Sequence, residues 1–420
     1  MNRITRRSFT AMAGAAGAAF SMPNLAFGAT ARVAVVGGGF GGATAARYLK
    51  RLDKDLDVTL IEASRKYITC PFSNLVLGGL RDMNSITHGY EGLAKGGVRV
   101  VHATVQGIDP AAKRLSLSTG TPINYDKLIL SPGMDLNFGA IPGYDRAAAE
   151  RLPHAWKAGP QTLLLKRQIE AMPNGGVVIM VCPDNPYRCP PGPYERASMI
   201  AHYLKSKKPK SKILMLDAKE GFSKQALFQD GWKQVYGNMI EWLPGKAGGK
   251  VLSVDASAMT VKTEFGDHKG AVINVIAPQR AGEIARAAGF ANEAGWCPVD
   301  FDSFQSKMNP DVYVIGDASV AGAMPKSGFS ANSQAKVAAI AVILALAGKK
   351  PPSPALANTC YSLVAPKYGI SIANVYRVTA QGLVSVEGGV SPAEAPALVR
   401  EREASYAVGW YDSITQDMFG

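Results

Sequence analysis

No Cys-x-x-Cys-His occurs in these 420 residues, so the chain has no site for a covalently attached c-type haem. Histidine is scarce, with five residues at positions 88, 102, 154, 202 and 268. Neither these nor the five cysteines, Cys70, Cys182, Cys189, Cys297 and Cys360, fall at zinc-ligand spacings, so no metal site is expected. Two apolar stretches, Ala11–Met22 and 337–347, fall short of the roughly 20 residues that span a bilayer. The mature chain is therefore expected to lack an integral membrane segment. The formal charge is +13, yet no dense Lys/Arg tract is interleaved with aromatics. The nearest approach, 205–212, reads as a solvated helix end and loop, which argues against nucleic acid as a partner.

What the chain does have begins with an address. Thr5-Arg6-Arg7-Ser8-Phe9-Thr10 is a twin-arginine pattern, followed by the short apolar run, Pro23, and a small-residue cleavage site at Ala26-Phe27-Gly28. Residues 1–30 are thus expected to be a bacterial export signal, which places the mature protein in the periplasm. Losing Arg3, Arg6 and Arg7 with the signal lowers the formal charge by three and leaves a basic surface. The remaining length calls for two or three domains, and an oxidising compartment predicts at least one disulfide.

The run 32–36 is β-branched and leads into Gly37-Gly38-Gly39-Phe40-Gly41-Gly42, after which 43–50 reads as helix. Gly37, Gly39 and Gly42 satisfy G-x-G-x-x-G, and the next strand, 58–61, ends at Glu62. Two glycines let the backbone approach a pyrophosphate and the third lets helix and strand pack. The helix N-terminus faces the phosphates, and the acid accepts from a ribose hydroxyl. This pattern predicts a dinucleotide site. Far downstream, Val312-Tyr313-Val314-Ile315-Gly316-Asp317-Ala318 resembles the second FAD motif of the glutathione-reductase-like flavoproteins, in which the aspartate binds the ribityl chain. Tyr125 to Gly133 resembles their connecting strand. These three pieces, in that order, predict FAD. A helix from about Ala331 to Ala347 should then point its N-terminus at the flavin, where its dipole favours negative charge.

A second parallel pair of strands is expected at 177–181 and 212–217. Between them, where an NADH-binding unit carries glycines, stands Cys182-Pro-Asp-Asn-Pro-Tyr-Arg-Cys189-Pro-Pro-Gly-Pro-Tyr-Glu195. Proline offers no N–H, and its ring blocks close backbone approach, so this loop is not built to cradle a pyrophosphate. Cys189 follows Arg188 and precedes a helix expected near Pro193; both neighbours favour a thiolate. The alternative is an inert structural cysteine in a stabilising disulfide.

Several long strings, GGGFGGATAARYL, LPHAWKAG (152–159), RCPPGPYERAS (188–198), PQRAG (278–282), GWCPVD (295–300), PKSGFSANSQ (325–334) and NTCYSLVAPKYGIS (358–371), resemble the flavoprotein subunit of flavocytochrome c sulfide dehydrogenase. The resemblance runs along essentially the whole mature chain. It implies an α/β, glutathione-reductase-like fold with two Rossmann-like domains and a C-terminal interface domain. The FAD domain would comprise 31–142 and 276–350, the second Rossmann-like domain 143–275, and the interface domain 351–420. It also implies that Cys70 holds the flavin 8α-methyl group as a thioether, and that Cys189 and Cys360 form a redox-active disulfide beside the flavin. Trp410 would lie between the flavin and a c-type cytochrome subunit, whose haem sits on a separate chain. Sulfide is then the substrate, with Glu195 as a local base and Lys326 stabilising reduced flavin. Gly133, Gly316 and Asp317 complete the expected flavin contacts; Cys182 and Cys297 receive no role.

Two other readings remain open. A sulfide:quinone oxidoreductase shares the fold and the cysteine chemistry, but it needs an apolar face toward the membrane. Residues 397–420 hold Arg400, Glu401, Arg402, Glu403, Asp412 and Asp417 without a clean apolar stripe. The other reading is a non-catalytic flavoprotein accessory to a sulfur-oxidising complex. A type II NADH dehydrogenase is disfavoured by the proline-rich loop.

Overall fold

The structure is a computed structural model describing residues 31–420; the expected export signal, 1–30, lies outside the described residues. The first segment contains β1 (Arg32–Val36), α1 (Phe40–Leu52), β2 (Asp57–Ile61), the short α2 (Ser73–Leu77), β3 (Arg99–Val101) and β4 (Lys127–Leu130). The middle segment contains α3 (Pro160–Ala171), β5 (Val177–Cys182), α4 (Gly192–Lys207), β6 (Lys212–Asp217), α5 (Gln225–Tyr236), β7 (Ile240–Leu243) and β8 (Val272–Val275). The chain then returns with β9 (Asn309–Val314) and α6 (Gly328–Leu346). It ends in β10 (Ala355–Ala365), β11 (Tyr368–Thr379), β12 (Gly382–Val390) and α7 (Ala397–Phe419).

Two parallel sheets form the α/β body. The first runs β9-β4-β1-β2-β3, with the short strand Gln305–Ser306 on its outer edge. Its strands pair in parallel, Val33 opposite both Val58 and Lys127, and Leu128 opposite Val312. Because both faces are covered, these strands are nearly continuous in Val, Ile and Leu, as buried parallel strands require. Val35, Leu60, Ile129 and Val314 are all fully buried, and each such side chain contributes roughly 1.5–3 kcal/mol relative to exposure. The second sheet runs β7-β6-β5-β8, again parallel. The C-terminal antiparallel sheet β10-β11-β12 covers the molecule on the side of α4 and α6.

Two glycines explain why α1 can sit so close behind β1. A Cβ on Gly42 would lie 1.7 Å from the Gly37 carbonyl oxygen, and one on Gly37 would lie 2.2 Å from the Ser131 oxygen. Gly37 also has φ +97°, a conformation that L side chains avoid. α6 packs on α1, and its Ala335, Ala338, Ala339 and Val342 are buried. It begins at Gly328, a turn earlier than the expected Ala331, because Ser327 supplies an N-cap that accepts from the Ser330 N–H. By length and composition this 19-residue helix could cross a membrane, which the shorter apolar stretch read from the sequence did not suggest; here it is a core helix.

α7 differs from expectation in the same way. Its sequence shows no obvious apolar stripe, yet Ala404, Ala407, Tyr411, Ile414 and Met418 are buried at helical spacing. They face the body of the protein, and the charged residues around them had obscured the pattern.

Candidate functional site

A cavity of about 610 Å³ opens where the strands of the first sheet end, roofed by α4 and the C-terminal segment. The crevice beyond the carboxyl ends of parallel strands is where this kind of sheet binds ligands. Gly37, Gly39 and Glu62 line it after β1 and β2, Gly133 after β4, and Gly316 and Asp317 after β9. Cys70, Cys189 and Cys360 reach it from three separate parts of the chain, joined by Glu195 from α4 and Trp410 from α7. Of the residues singled out in the sequence, Gly42 and Lys326 do not line it. Gly42 acts from behind, through packing.

The residues fit an extended dinucleotide. The N-cap of α1 is Gly39, which has no side chain to satisfy the first-turn N–H groups. Glu62 is aimed at this end, and its carboxylate accepts from the Gly38 N–H at 2.8 Å and the Ser64 N–H at 2.9 Å. The indole N–H groups of Trp156 and Trp410 are buried donors without a protein partner, and both side chains belong to cavity-lining residues. Buried donors of this kind call for an acceptor from a ligand.

Asp317 is partly buried beside Arg188, whose Nη1 is 3.8 Å from Oδ2. Burial raises the Asp317 carboxyl, opposed by the charges of Arg188 and Lys326. Arg188 also donates to the Trp156 carbonyl, which accepts from Cys70 Sγ at 3.5 Å as well. One carbonyl therefore anchors both an arginine and a cysteine at the cavity wall.

Cys189 departs from expectation. Arg188 does favour its thiolate, but burial and the nearby Cys360 and Glu195 outweigh it and push the thiol up. Its backbone has φ +59°, held by its N–H donating to the Lys326 carbonyl at 2.7 Å and its own carbonyl accepting from Gly192 at 2.8 Å. All five cysteines are free thiols in this structure, so the bridge implied for Cys189 and Cys360 is not formed; both sulfur-bearing residues nevertheless line the same cavity. Cys182 and Cys297 are fully buried elsewhere.

Glu195 is enclosed. Its carboxylate accepts from the Leu363 N–H at 3.0 Å and from Asn74 Nδ2 at 2.9 Å. Burial still raises its carboxyl above the ordinary range, the direction that lets a carboxyl hold and release a proton near neutrality. Lys326, by contrast, points away. Its ammonium donates to the Asp317 and Ser319 carbonyls at 2.7 and 2.8 Å and lies 3.8 Å from the Trp296 ring centroid. Burial lowers it to about 8. Its visible contacts support the Gly316–Ala318 turn and, through its carbonyl, Cys189.

Two site residues escaped the sequence. Arg196 is 2% exposed and donates to Asn74 Oδ1, Asn274 Oδ1 and the carbonyls of His154 and Ala155. It knits α2, α4 and the 154–156 segment together. Lys224, 8% exposed, sends its ammonium to the Cys360 carbonyl at 3.0 Å and Ser362 Oγ at 2.8 Å. Arg196 stands one residue after Glu195 in a conspicuous string, which was a usable signal. Lys224 reads as an ordinary loop lysine, and nothing local marks it.

In the second sheet, the loop between β5 and α4 is the proline-rich one. Asp217 ends β6 in the place that Glu62 holds after β2, but protein groups consume its carboxylate. It accepts from Tyr194 OH at 2.5 Å, Trp242 Nε1 at 2.9 Å and Lys219 Nζ at 2.6 Å. Tyr194 and Phe222 stack beside it with ring centroids 3.5 Å apart.

Three family models match in succession: pyridine nucleotide-disulphide oxidoreductase over 31–163, sulfide dehydrogenase (flavocytochrome c) flavoprotein chain, central, over 162–277, and flavocytochrome c sulphide dehydrogenase, flavin-binding, over 352–419. The chain is 60% identical over 47 residues to the sulfide dehydrogenase (flavocytochrome c) flavoprotein chain of Chlorobaculum thiosulfatiphilum, covering 11% of this chain and 98% of that sequence. It is 23% identical over 307 residues to the mitochondrial sulfide:quinone oxidoreductase of Mus musculus, covering 68% of this chain; the match spans 65% of the mouse protein's length. The sulfide:quinone oxidoreductase structure from Aquifex aeolicus superposes with a TM-score of 0.70 at 17% identity, covering 92% of each chain. At that identity the likeness speaks for the fold.

Proposed function

We propose that this chain, whose successive segments match the models of pyridine nucleotide-disulphide oxidoreductase and of the central and flavin-binding parts of flavocytochrome c sulfide dehydrogenase, oxidises sulfide with FAD. The observation that carries the proposal is the convergence of Cys189, Cys360 and Glu195 on the cavity that also holds Gly37, Glu62 and Asp317. Glu62 and the α1 N-terminus would hold the adenosine and pyrophosphate end. Gly316, Asp317 and the α6 N-terminus would hold the ribityl and ring end. Cys70 is proposed as the covalent attachment point.

In the oxidised enzyme Cys189 and Cys360 form a disulfide. HS⁻ attacks one sulfur, the S–S bond breaks, and the products are a persulfide on one cysteine and a thiolate on the other. Glu195 accepts and returns protons beside them. FAD, when bound, would supply the acceptor for the two electrons released when the pair re-forms its disulfide and sulfur departs, and one-electron chemistry toward the next carrier. The proposed acceptor is a c-type cytochrome, supported by the flavocytochrome c domains at the centre and C-terminus; the proposed location is the periplasm, supported by the twin-arginine pattern alone. The quinone-reducing alternative is favoured by the mouse relative, which matches a longer stretch.

Anaerobic sulfide titration at the flavin absorbance tests the chemistry. Wild type should bleach, while Cys189→Ser and Cys360→Ser should each lose at least about 100-fold in bleaching rate, because thiol–disulfide exchange has no bridge to enter. Normal bleaching by either variant would refute the disulfide step. Acid denaturation followed by peptide mass spectrometry should leave flavin on the peptide containing Cys70. Steady-state turnover with cytochrome c against a short-chain quinone separates the two acceptors.

A further inference from the structure

Lys224 is a buried cation without a carboxylate in ion-pair contact among the described residues. Its ammonium is satisfied only by neutral oxygens, the Cys360 carbonyl and Ser362 Oγ. Burying an ammonium is costly unless negative charge lies close by. The acidic groups whose charge bears on it are, in order, Cys360, Glu195, Cys189 and Glu403. The first of these becomes negative only when the cysteine pair opens.

A second group addresses the same sulfur. Asn358 Nδ2 donates to Cys360 Sγ at 3.4 Å. The orientation of that amide is set from the other side. Ser327 Oγ accepts from the Ser330 N–H as the N-cap of α6, so its hydrogen is free to donate to Asn358 Oδ1 at 2.5 Å. Oδ1 also accepts from Ser330 Oγ at 3.2 Å and, at 3.7 Å, from the Cys360 thiol, so the NH₂ is the nearer end of the amide to sulfur and the end left to meet it once the thiol has lost its proton. Among the described residues no comparable donor reaches Cys189 Sγ. Its surroundings are Gly192, the Glu195 carboxyl, and Arg188, which is already engaged with Trp156 and Asp317.

We propose that Asn358 and Lys224 polarise the Cys189–Cys360 pair, so that HS⁻ attacks Cys189 and Cys360 leaves as the thiolate. The inference rests on the disulfide reading above and adds its direction. In the step, a bond forms between the sulfide sulfur and Cys189 Sγ. The Cys189–Cys360 bond breaks, and its electron pair departs on Cys360 Sγ, leaving Cys189 as the persulfide. A leaving thiol of lower pKa leaves faster, and the amide N–H and the ammonium stabilise that charge. Asn358 touches the reacting atom and is a catalytic residue. Lys224 acts through the backbone of Cys360 and is a positioning residue.

The test uses the full-length flavoprotein. Differential alkylation with and without reductant first establishes whether Cys189 and Cys360 are bridged at all; thiols equally free in both states would remove the underlying disulfide reading. The protein is next reduced and given a brief sub-stoichiometric iodoacetamide pulse, and the label on each cysteine is read by peptide mass spectrometry. Cys360 should label before Cys189. Asn358→Ala and Lys224→Met should each cut that preference by about tenfold, the equivalent of one pKa unit, and Lys224→Arg should restore it. Should Lys224→Met fail to fold, Asn358→Ala and Lys224→Arg still decide the matter. After one equivalent of sulfide and an acid quench, the extra sulfur should sit on the Cys189 peptide. Extra sulfur on Cys360, or a preference unchanged in the variants, overturns the proposal while leaving the disulfide itself intact.

Discussion

His154 is kept neutral. Its Nδ1 accepts from the Trp156 N–H at 3.0 Å, and burial, then Arg196, Lys157 and Arg188, lower its pKa to about 3. An unfolded histidine titrates near 6.5, so between these values the unfolded chain binds the extra proton. Its contribution to stability is therefore complete above about pH 6.5 and is lost as pH falls toward 3. By pH 4.5 the loss amounts to roughly 2–3 kcal/mol. His154→Asn retains an acceptor oxygen near Nδ1 without the titration. Its melting temperature should fall less than that of wild type between pH 7 and 4.5, and parallel curves would show that His154 does not set this slope. Residue identity at such positions was only half legible. The glycines and Glu62 announced themselves because a nucleotide fold needs them at fixed spacing. Lys224 and His154 did not, because their burial comes from segments far away in the chain.

Helix α7 is docked by a glycine on the neighbouring strand. A Cβ on Gly369 of β11 would lie 2.3 Å from the backbone nitrogen of Ala404, so helix and sheet meet backbone to backbone. Tyr411 then bonds Thr69 Oγ1 at 2.8 Å and His88 Nε2 at 3.0 Å, tying α7 to the first segment near Cys70. Gly369→Val should force α7 off the sheet, since overpacking of this kind costs roughly 1–3 kcal/mol. Trypsin should then cut at Arg400 or Arg402 about tenfold faster than in wild type. Unchanged cleavage would mean that the sheet yields and α7 stays docked. At this scale the sequence was read well where periodicity was clean, as in the parallel strands. It was read less well in α7, where charged residues on the outer face masked the buried one, and in α6, whose start depends on the Ser327 cap.

Across the whole molecule, two similar parallel sheets have been put to different uses. Glu62 in the first is turned to an open cavity, whereas Asp217 in the second is spent on Tyr194, Trp242 and Lys219. Tyr194, bonded to that carboxylate, stacks on Phe222 beside it. NADH, even at millimolar concentration, should therefore bleach the flavin at least about 1000-fold more slowly than sulfide, as stopped-flow absorbance would show; comparable rates would refute the closed second site. The proline-rich loop already argued in this direction, because missing N–H groups are a local property of the chain. By itself the sequence determined the two strand-rich halves, the glycine loop with its acid, and the candidate cysteines, since spacing and backbone chemistry are written in order along the chain. Only the tertiary structure decided that Cys70, Cys189 and Cys360 share one cavity, that Lys326 turns its charge away from it, and that Lys224 lies behind Cys360. Those outcomes depend on which distant segments are packed together, and the desolvation that shifts Cys189, Glu195 and Asp317 exists only once they are.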